Sequence, residues 1–198
     1  MRCVLATANP DKAREIVAIV AELGSIDLIE RPSNIPDVEE TGETLEENAR
    51  LKAVTLRKAT AISSIADDTG LEVDALDGAP GVRSARYAGD DANSARNIEK
   101  LLGALDHTAD RGARFVTVAF LSMADGTELF ARGVVEGTIA VHPAGDGGFG
   151  YDSVFIPIEG DGRTFAQMEP EEKNAMSHRT RALRSLAELM AVRGLLEG

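Results

Sequence analysis

Two adjacent carboxylates, Asp67 and Asp68, follow a short apolar run and precede a Thr-Gly pair. The pattern predicts that a buried strand ends at these residues and that the chain turns at Thr69 and Gly70. Ligands gather at strand ends in open α/β sheets, where a carboxylate can hold Mg²⁺ or take a proton from water. Because neighbouring strand residues point to opposite sides, we expect at most one of the two to face a given cleft. The alternative is an aspartate that only stabilises the bend.

More carboxylates, among them Glu39 and Glu40, lie at residues 35–47, which we call the acidic loop. This loop contains no basic residue. Carboxylates without basic partners suit a hard cation such as Mg²⁺. A simpler interpretation is a solvated loop that leads into the acidic first turn of a helix. That interpretation explains Glu46 and Glu47, but it leaves Glu39 and Glu40 without a role.

The segment LATANPDK, residues 5–12, is typical of a strand that runs into the N-terminus of a helix. Asn9 fits the N-cap and Pro10 the first helical position, which leaves Lys12 in the first turn. Free backbone N–H groups and the helix dipole attract phosphate at such a site, and Thr7 and Asn9 add hydrogen-bonding side chains. Because the Gly-rich signature of a P-loop or dinucleotide fold is missing, a plain N-cap with a solvated Lys12 stays open.

Two further segments contain residues suited to a planar, charged ligand. In GDGGFGYDSVF, residues 145–155, Phe149 lies between glycines. This position suits either stacking of the ring on a nucleobase or a tight turn in which the ring fills a local apolar space. In EEKNAMSHRTRAL, residues 171–183, basic side chains surround a predicted helix start at Ser177. A cation at a helix N-terminus opposes the dipole, so these residues indicate either a nearby anion or a surface turn with a solvated His178.

The composition restricts the possible functions. With 21 basic and 33 acidic residues the net charge is −12, and no basic run occurs, so nucleic acid is not an expected partner. No apolar run reaches the roughly 18 residues that span a bilayer, and the N-terminus lacks the features of a secretion signal. Cys3 is the only cysteine, which rules out an intramolecular disulfide and a cysteine zinc site. We therefore expect a cytoplasmic protein that does not bind a membrane.

Strand and helix signals place these segments in an α/β fold. Helices are predicted at residues 10–23, 45–60 and 91–105, with a further one starting at Ser177. Strands are predicted at residues 2–7, 26–30, 63–68, 71–76, 113–123, 127–139 and 153–157, with a hairpin turn at 124–126. Hairpin and βα signals occur together, which predicts a mixed sheet.

Taken together, five ordered segments closely resemble one family, the inosine/xanthosine triphosphate pyrophosphatases, which hydrolyse non-standard purine nucleoside triphosphates. The segments are LATANPDK, EETGETLEENARLKA, ADDTGLEVDALDGAPGVRSARYAG, GGFGYDSVF and EEKNAMSHR, and they extend over nearly the whole chain. The resemblance implies an α/β fold with a mixed central β-sheet flanked by helices, in which two lobes surround a central active-site cleft. It also implies one domain over residues 1–198 and a homodimer.

The same resemblance implies a Mg²⁺-dependent enzyme that converts dITP, ITP, XTP or dXTP to the nucleoside monophosphate and pyrophosphate. Asp68 would be the general base and would bind Mg²⁺ together with Glu39, and Phe149 would stack on the base. Glycine is common in the family where this chain has Ala8 and Asp11, and Asp11 adds a negative charge near the predicted phosphate site. The implied substrate-binding residues are Thr7, Ala8, Asn9, Pro10, Asp11, Lys12, Thr69, Phe149, Gly150, Tyr151, Asp152, Lys173, His178 and Arg179.

The implied reaction fits the chemistry of these residues. Release of pyrophosphate requires water to attack the α-phosphorus, and an ionised aspartate near Mg²⁺ can orient or deprotonate that water. Lys12, Lys173, Arg179 and Mg²⁺ would offset the roughly four negative charges of the substrate. Donors on Arg179 or His178 would favour a 6-keto purine over adenine.

Two other functions stay open at this stage. A related pyrophosphatase that acts on modified pyrimidine or methylated nucleotides would use the same chemistry with a different base preference. A nucleotide-binding regulator could use the same glycines, aromatics and cations, but it would not need Asp68 and Glu39 to activate water. A soluble α/β domain with a merely solvated acidic loop would not explain five motifs in order.

Overall fold

The computed structural model describes residues 1–24 and 26–195. The strands in this range are β1 (Arg2–Leu5), β2 (Asp27–Ile29), β3 (Ser64–Val73), β4 (Pro80–Gly81), β5 (Gly112–Ser122), β6 (Glu128–Ile139) and β7 (Phe155–Pro157). The α-helices are α1 (Pro10–Leu23), α2 (Leu45–Thr60), α3 (Ser94–Ala104), α4 (Pro170–Met176) and α5 (His178–Val192). None of the helices in the described range is long and apolar enough to cross a bilayer.

The strands form one mixed sheet in the order β2-β1-β3-β5-β6-β7, and β4 pairs with β3 outside this path. β1 is parallel to both β2 and β3, whereas the β3–β4 and β6–β7 pairs are antiparallel. The parallel pairs require crossover connections, which α1 and α2 supply. β5 and β6 are joined by a short turn in which Met123 and Thr127 share a backbone hydrogen bond. The prediction of an α/β fold with a mixed sheet and this hairpin turn is confirmed.

β3 contradicts the prediction of two short strands separated by a turn. It runs without interruption from Ser64 to Val73, so the Thr69–Gly70 pair continues the strand. The first part pairs with β1 and the last part with β4, and these ladder bonds outweigh the turn preference of the Thr-Gly pair. The predicted strand end at Asp67 and Asp68 is therefore wrong, and both aspartates lie inside a strand.

Side-chain caps define the ends of α1 and α2. The Asn9 side chain accepts the N–H groups of the first turn of α1, and Gly24 ends the helix with a φ of 67°. Thr44 and Glu47 form the predicted capping box at the start of α2. The predicted ranges 10–23 and 45–60 are confirmed.

The C-terminal segment contains a helix that the sequence did not predict. Pro170 opens α4 as its first residue, and Glu169 and Glu172 form a capping box there. The helix ends before Ser177, and α5 starts at His178, where the final helix was predicted. Lys173 consequently lies in α4 and not at the start of the final helix. Seven residues are too few for the apolar period that identifies a helix.

The described residues form two compact units, each with a core of its own. Unit 1 comprises residues 1–24, 26–68, 117–133 and 179–195. Its core is built from side chains of β1, α1, β3, β5, β6 and α5, among them Ile19, Ile65 and Leu186. Cys3 is part of this core, and burial raises the pKa of its thiol to about 11, so it stays protonated at neutral pH.

Unit 2 comprises residues 69–116 and 134–178. Its core contains three packed phenylalanines, Phe115, Phe155 and Phe165, with ring centroids 4.6–6.2 Å apart. Leu71, Val135 and further apolar residues of β3, β6 and α3 surround them. The aromatic residues thus supply much of the apolar volume of this unit.

Gly137 and Gly103 provide a matched test of packing in unit 2. A Cβ at Gly137 would overlap the Phe155 ring and would lie 2.6 Å from the Ile156 carbonyl oxygen. We expect Gly137→Ala to lower the free energy of unfolding by about 1–3 kcal/mol. Gly103 lies in α3, and a methyl group added there would have nothing within 4 Å. Gly103→Ala should therefore raise the free energy of unfolding by about 0.5–1 kcal/mol. Urea unfolding would measure both changes, and equal signs would contradict the prediction.

Candidate active site

β3 turns Asp67 and Asp68 to opposite faces of the sheet, as its alternation requires. Both side chains are buried. Asp67 shares its face with Ile65, which packs in the core with α1 and α5. Asp68 contacts Lys52 of α2. The nearest cations of the two aspartates therefore differ, although Lys12 and Lys52 act electrostatically on both carboxylates.

Asp68 belongs to a buried group of alternating charges. Lys52 Nζ donates to Asp68 Oδ1 at 2.9 Å and to Glu40 Oε1 at 3.0 Å. Burial raises the pKa of Asp68 above its usual value, although the Lys52 ammonium acts in the opposite direction. Burial lowers the pKa of Lys52, but the carboxylates of Asp68, Asp67 and Glu40 outweigh it and leave that pKa raised. The lysine is thus a permanent cation that connects the acidic loop with β3.

Lys52 and Asn48 were missed by the sequence analysis, yet their spacing carried a signal. The buried residues of α2 follow a helical stripe that otherwise contains only apolar residues: Leu45, Asn48, Ala49, Lys52, Ala53 and Leu56. A polar residue on such a stripe needs a buried partner. Asn48 Oδ1 accepts the N–H of Gly42 at 2.8 Å, and a Cβ at Gly42 would lie 2.7 Å from that oxygen. Asn48 thereby attaches the acidic loop to α2.

The acidic loop presents its two central glutamates differently. Glu40 is half-buried and bonds to Lys52, whereas Glu39 is exposed. The solvated interpretation therefore fails for Glu40. Within the described residues, no three histidine, cysteine, aspartate or glutamate side chains are grouped as a metal site. Glu39 as a metal ligand stays a prediction.

Asp67 lies in a second buried group, which includes Arg179, Lys12 and Glu15. Arg179 Nε donates to Asp67 Oδ2 at 3.1 Å, and Arg179 Nη1 donates to Glu15. Lys12 Nζ lies 3.5 Å from the same Asp67 oxygen. Burial raises the pKa of Asp67, but Lys12 and Arg179 outweigh it and hold that pKa below its usual value. Glu15 was not predicted, and it lies on α1 one turn after Lys12.

The N-terminus of α1 is capped from within the chain. Asn9 Oδ1 accepts the N–H groups of Asp11 at 2.9 Å and of Lys12 at 3.2 Å, and Thr7 Oγ1 accepts that of Asn9. The Asp11 side chain pairs with Arg14. Ala8, Asn9 and Pro10 are exposed. The Lys12 side chain is only 17% exposed, so the alternative of a solvated Lys12 is wrong.

In unit 2, Phe149, Asp152 and Lys173 form a compact cluster. Asp152 Oδ2 accepts the ammonium of Lys173 at 2.5 Å and the backbone N–H of Phe149 at 2.9 Å. Lys173 Nζ lies 4.9 Å from the centroid of the Phe149 ring, a cation–π contact. A Cβ at Gly148 would overlap Asp152, which explains why the loop needs glycine there. The structure therefore brings together three of the residues predicted to bind substrate.

Tyr151 and His178 are both parts of the packed interior of unit 2. The Tyr151 hydroxyl donates to the Ser84 carbonyl at 2.9 Å, and burial raises the pKa of that phenol. The His178 ring stacks on Phe115 at a centroid distance of 4.6 Å. His178 is 3% exposed, so a solvated surface turn is wrong for this residue. Thr69 and Gly150, the remaining predicted residues, are half-buried.

Comparison with known proteins identifies the family. The sequence model of the Ham1 family matches residues 3–189. The chain belongs to the Ham1 family. Curated relatives in that family include a dITP/XTP pyrophosphatase of Streptomyces coelicolor, 48% identical over 194 residues and 96% of each chain. Another dITP/XTP pyrophosphatase, of Christiangramia forsetii, is 46% identical over 96% of this chain and 100% of its own.

Solved Ham1 structures have the same fold. The Ham1 protein of Staphylococcus aureus is 41% identical, with a TM-score of 0.85 over 98% of this chain and 100% of its own. A HAM1 protein of Coxiella burnetii is also 41% identical, with a TM-score of 0.86 over 97% of this chain and 99% of its own. The resemblance found from the five motifs and the expected α/β fold are both confirmed.

Proposed function

We propose that this Ham1 protein is a nucleoside triphosphate pyrophosphatase for non-standard purine nucleotides. It would hydrolyse dITP, ITP, XTP and dXTP to the nucleoside monophosphate and pyrophosphate. The observation that carries the proposal is the buried Asp68 carboxylate held by Lys52 beside the acidic loop. The names of relatives that are 43–48% identical support the choice of substrate.

Asp68 is the proposed general base. Water must attack the α-phosphorus so that pyrophosphate can leave, and a carboxylate within hydrogen-bond reach can take its proton. Lys52 keeps the Asp68 carboxylate in one orientation through the 2.9 Å bond. Lys12 is the proposed ligand of the phosphates. A nucleotide-binding regulator could use Lys12 in the same way, but it would not need Asp68 as a base.

The charge balance of unit 1 supports a role for Mg²⁺. The two buried groups contain three cations, Lys12, Lys52 and Arg179, and four carboxylates, Glu15, Glu40, Asp67 and Asp68. A triphosphate adds roughly four negative charges to carboxylates that already outnumber the cations, so further positive charge is needed. Mg²⁺ is typically bound by one or two carboxylates together with substrate phosphates, and Asp68 with a glutamate of the acidic loop fits that donor set. Bound there, Mg²⁺ would neutralise phosphate charge and lower the pKa of a water molecule.

We assign recognition of the purine base to residues of two segments, 145–155 and 171–183. Phe149 would stack on the purine, and the Lys173–Asp152 pair holds the loop that presents this ring. His178 and Arg179 are the proposed donors to the 6-oxygen of the substrate. Adenine has a donor at that position, so ATP should be a poor substrate. Comparable turnover of dITP and ATP would contradict this assignment.

The direct test measures pyrophosphate release from dITP, XTP, dGTP and ATP, each with Mg²⁺ and with EDTA. We expect Mg²⁺-dependent release from dITP and XTP only. Release from none of the four, with tight nucleotide binding retained, would favour a regulator. Release from modified pyrimidine nucleotides instead would favour the related pyrophosphatase with another base preference. The homodimer and the cytoplasmic location are further parts of the proposal.

A matched pair of variants tests which glutamate serves Mg²⁺. Glu39→Gln and Glu40→Gln each remove one charge from adjacent positions of the acidic loop. If Glu39 is the ligand, as the family resemblance implies, Glu39→Gln should raise the Mg²⁺ concentration for half-maximal activity by about 10–100-fold. Glu40→Gln should then change it little, because Glu40 is paired with Lys52. Titration of Mg²⁺ against dITP hydrolysis measures both, and the reverse ranking would move the ligand to Glu40.

A further inference from the structure

Arg179 is a fully buried guanidinium held by two carboxylates from different elements. It is 1% exposed, and it donates to Asp67 of β3 and to Glu15 of α1. Asp67 is also 1% exposed, and its Oδ2 atom is shared between Arg179 and Lys12. A single carboxylate oxygen thus lies between two cations that are both proposed to contact the substrate.

The position of Asp67 separates it from the proposed metal donors. Alternation along β3 turns it to the face opposite Asp68, and its partners come from α1 and α5. Asp68 instead shares Lys52 with the acidic loop. A cation bound by Asp68 and that loop would lie on the α2 side of β3. Asp67 is already shared by Lys12 and Arg179, which makes it the less suitable of the two aspartates for binding that cation. Lys52 nevertheless acts electrostatically on both carboxylates.

Two buried cations close to one another repel each other, and a carboxylate between them offsets that repulsion by attracting both. Removal of one partner from a buried ion pair leaves an uncompensated charge, which moves towards solvent or towards another anion. Without Asp67, Lys12 and Arg179 would both lose a counter-ion, whereas without Glu15 the residue that loses a counter-ion is Arg179. The two carboxylates thus have separable effects.

We propose that Asp67 is a positioning residue that holds Lys12 and Arg179 in place and is not a metal ligand. Glu15 is a second positioning residue, which acts on Arg179. The inference rests on the proposed function, in which Lys12 binds the triphosphate and Arg179 binds the base. Inorganic tripolyphosphate, which has no base, reports on phosphate binding, the role proposed for Lys12, and not on recognition of the base.

The test compares Asp67→Asn, Glu15→Gln and Asp68→Asn in the full chain. The measured quantities are KM and kcat for dITP, the inhibition constant of tripolyphosphate, and the dissociation constant of Mn²⁺ from electron paramagnetic resonance. For Asp67→Asn we expect KM and the tripolyphosphate constant to rise by about 10–100-fold with Mn²⁺ affinity unchanged. Glu15→Gln should raise KM for dITP but leave tripolyphosphate inhibition unchanged. Asp68→Asn should weaken Mn²⁺ binding.

Two results would overturn the inference. One is a loss of Mn²⁺ affinity in Asp67→Asn as large as in Asp68→Asn, which would make Asp67 a ligand. The other is a folded Asp67→Asn protein with unchanged KM and unchanged tripolyphosphate inhibition. Failure of the wild-type protein to release pyrophosphate from dITP would reject the proposed function separately. Direct measurement of tripolyphosphate binding by calorimetry and of Mn²⁺ binding by electron paramagnetic resonance needs no turnover and would still test Asp67.

A double variant covers the case in which Asp67→Asn does not fold. Lys12→Met with Asp67→Asn removes one cation together with its counter-ion, so the buried charge stays balanced. If Asp67 acts through Lys12, adding Asp67→Asn to Lys12→Met should not weaken tripolyphosphate binding further. An additional weakening of about tenfold or more would contradict a positioning role.

Discussion

Replacement of Asp68 by asparagine should lower kcat for dITP by about 100- to 10,000-fold at saturating Mg²⁺. Asparagine has the same shape, but it cannot take a proton from the attacking water. Lys52 would still be held by Glu40, so the surrounding side chains should keep their positions. The loss should therefore appear in turnover and not in the affinity for the nucleotide. Steady-state kinetics of pyrophosphate release, with nucleotide binding measured by calorimetry, separates the two.

Asp77→Asn is the matched control for this variant. Asp77 is an aspartate outside the proposed site with a φ of 51°, a conformation that asparagine adopts readily. Its replacement removes the same charge, so kcat should stay close to that of the wild type. A kcat close to the wild-type value for Asp68→Asn would reject Asp68 as the base. Equal losses in both variants would indicate a general effect of removing an acidic charge.

Replacement of Arg179 by methionine should lower the free energy of unfolding by about 3–5 kcal/mol. Methionine is apolar and removes the guanidinium from both Asp67 and Glu15, while Lys12 stays beside Asp67. A buried carboxylate that loses its counter-ion is expensive because the interior cannot solvate it as water does. Urea unfolding measures the loss.

Two further variants check the cause of that loss. Arg50→Met removes an exposed guanidinium from its ion pair with Glu128, and we expect a change of less than about 1 kcal/mol. Addition of Glu15→Gln to Arg179→Met should recover part of the stability, because it removes the charge of a carboxylate that the first change deprived of the guanidinium. If the double variant is less stable than Arg179→Met, burial of charge is not the cause of the loss.

Much of the architecture was determined by the sequence itself, because many of its signals depend on residues that are close together in the chain. The start of α1 depends on Asn9 and Pro10, and the start of α2 on Thr44 and Glu47, which lie three residues apart. Such caps need only contacts within one helical turn, so they can be recognised without the fold. The ordered motifs likewise identified the family and the α/β class.

Only the tertiary structure decided how the acidic residues are used. β3 passes straight through Asp67 and Asp68 because its neighbours β1 and β4 offer ladder bonds on either side of them. A strand in place of a turn sends the two aspartates to opposite faces, where different helices supply their partners. Lys52 reaches Asp68 from α2, and Arg179 reaches Asp67 from α5, at sequence separations that no local pattern connects. The sequence alone determined which residues carry charge. The packing of distant elements decided which charged side chains meet, because a charged side chain is stable in the interior only beside a group of opposite charge.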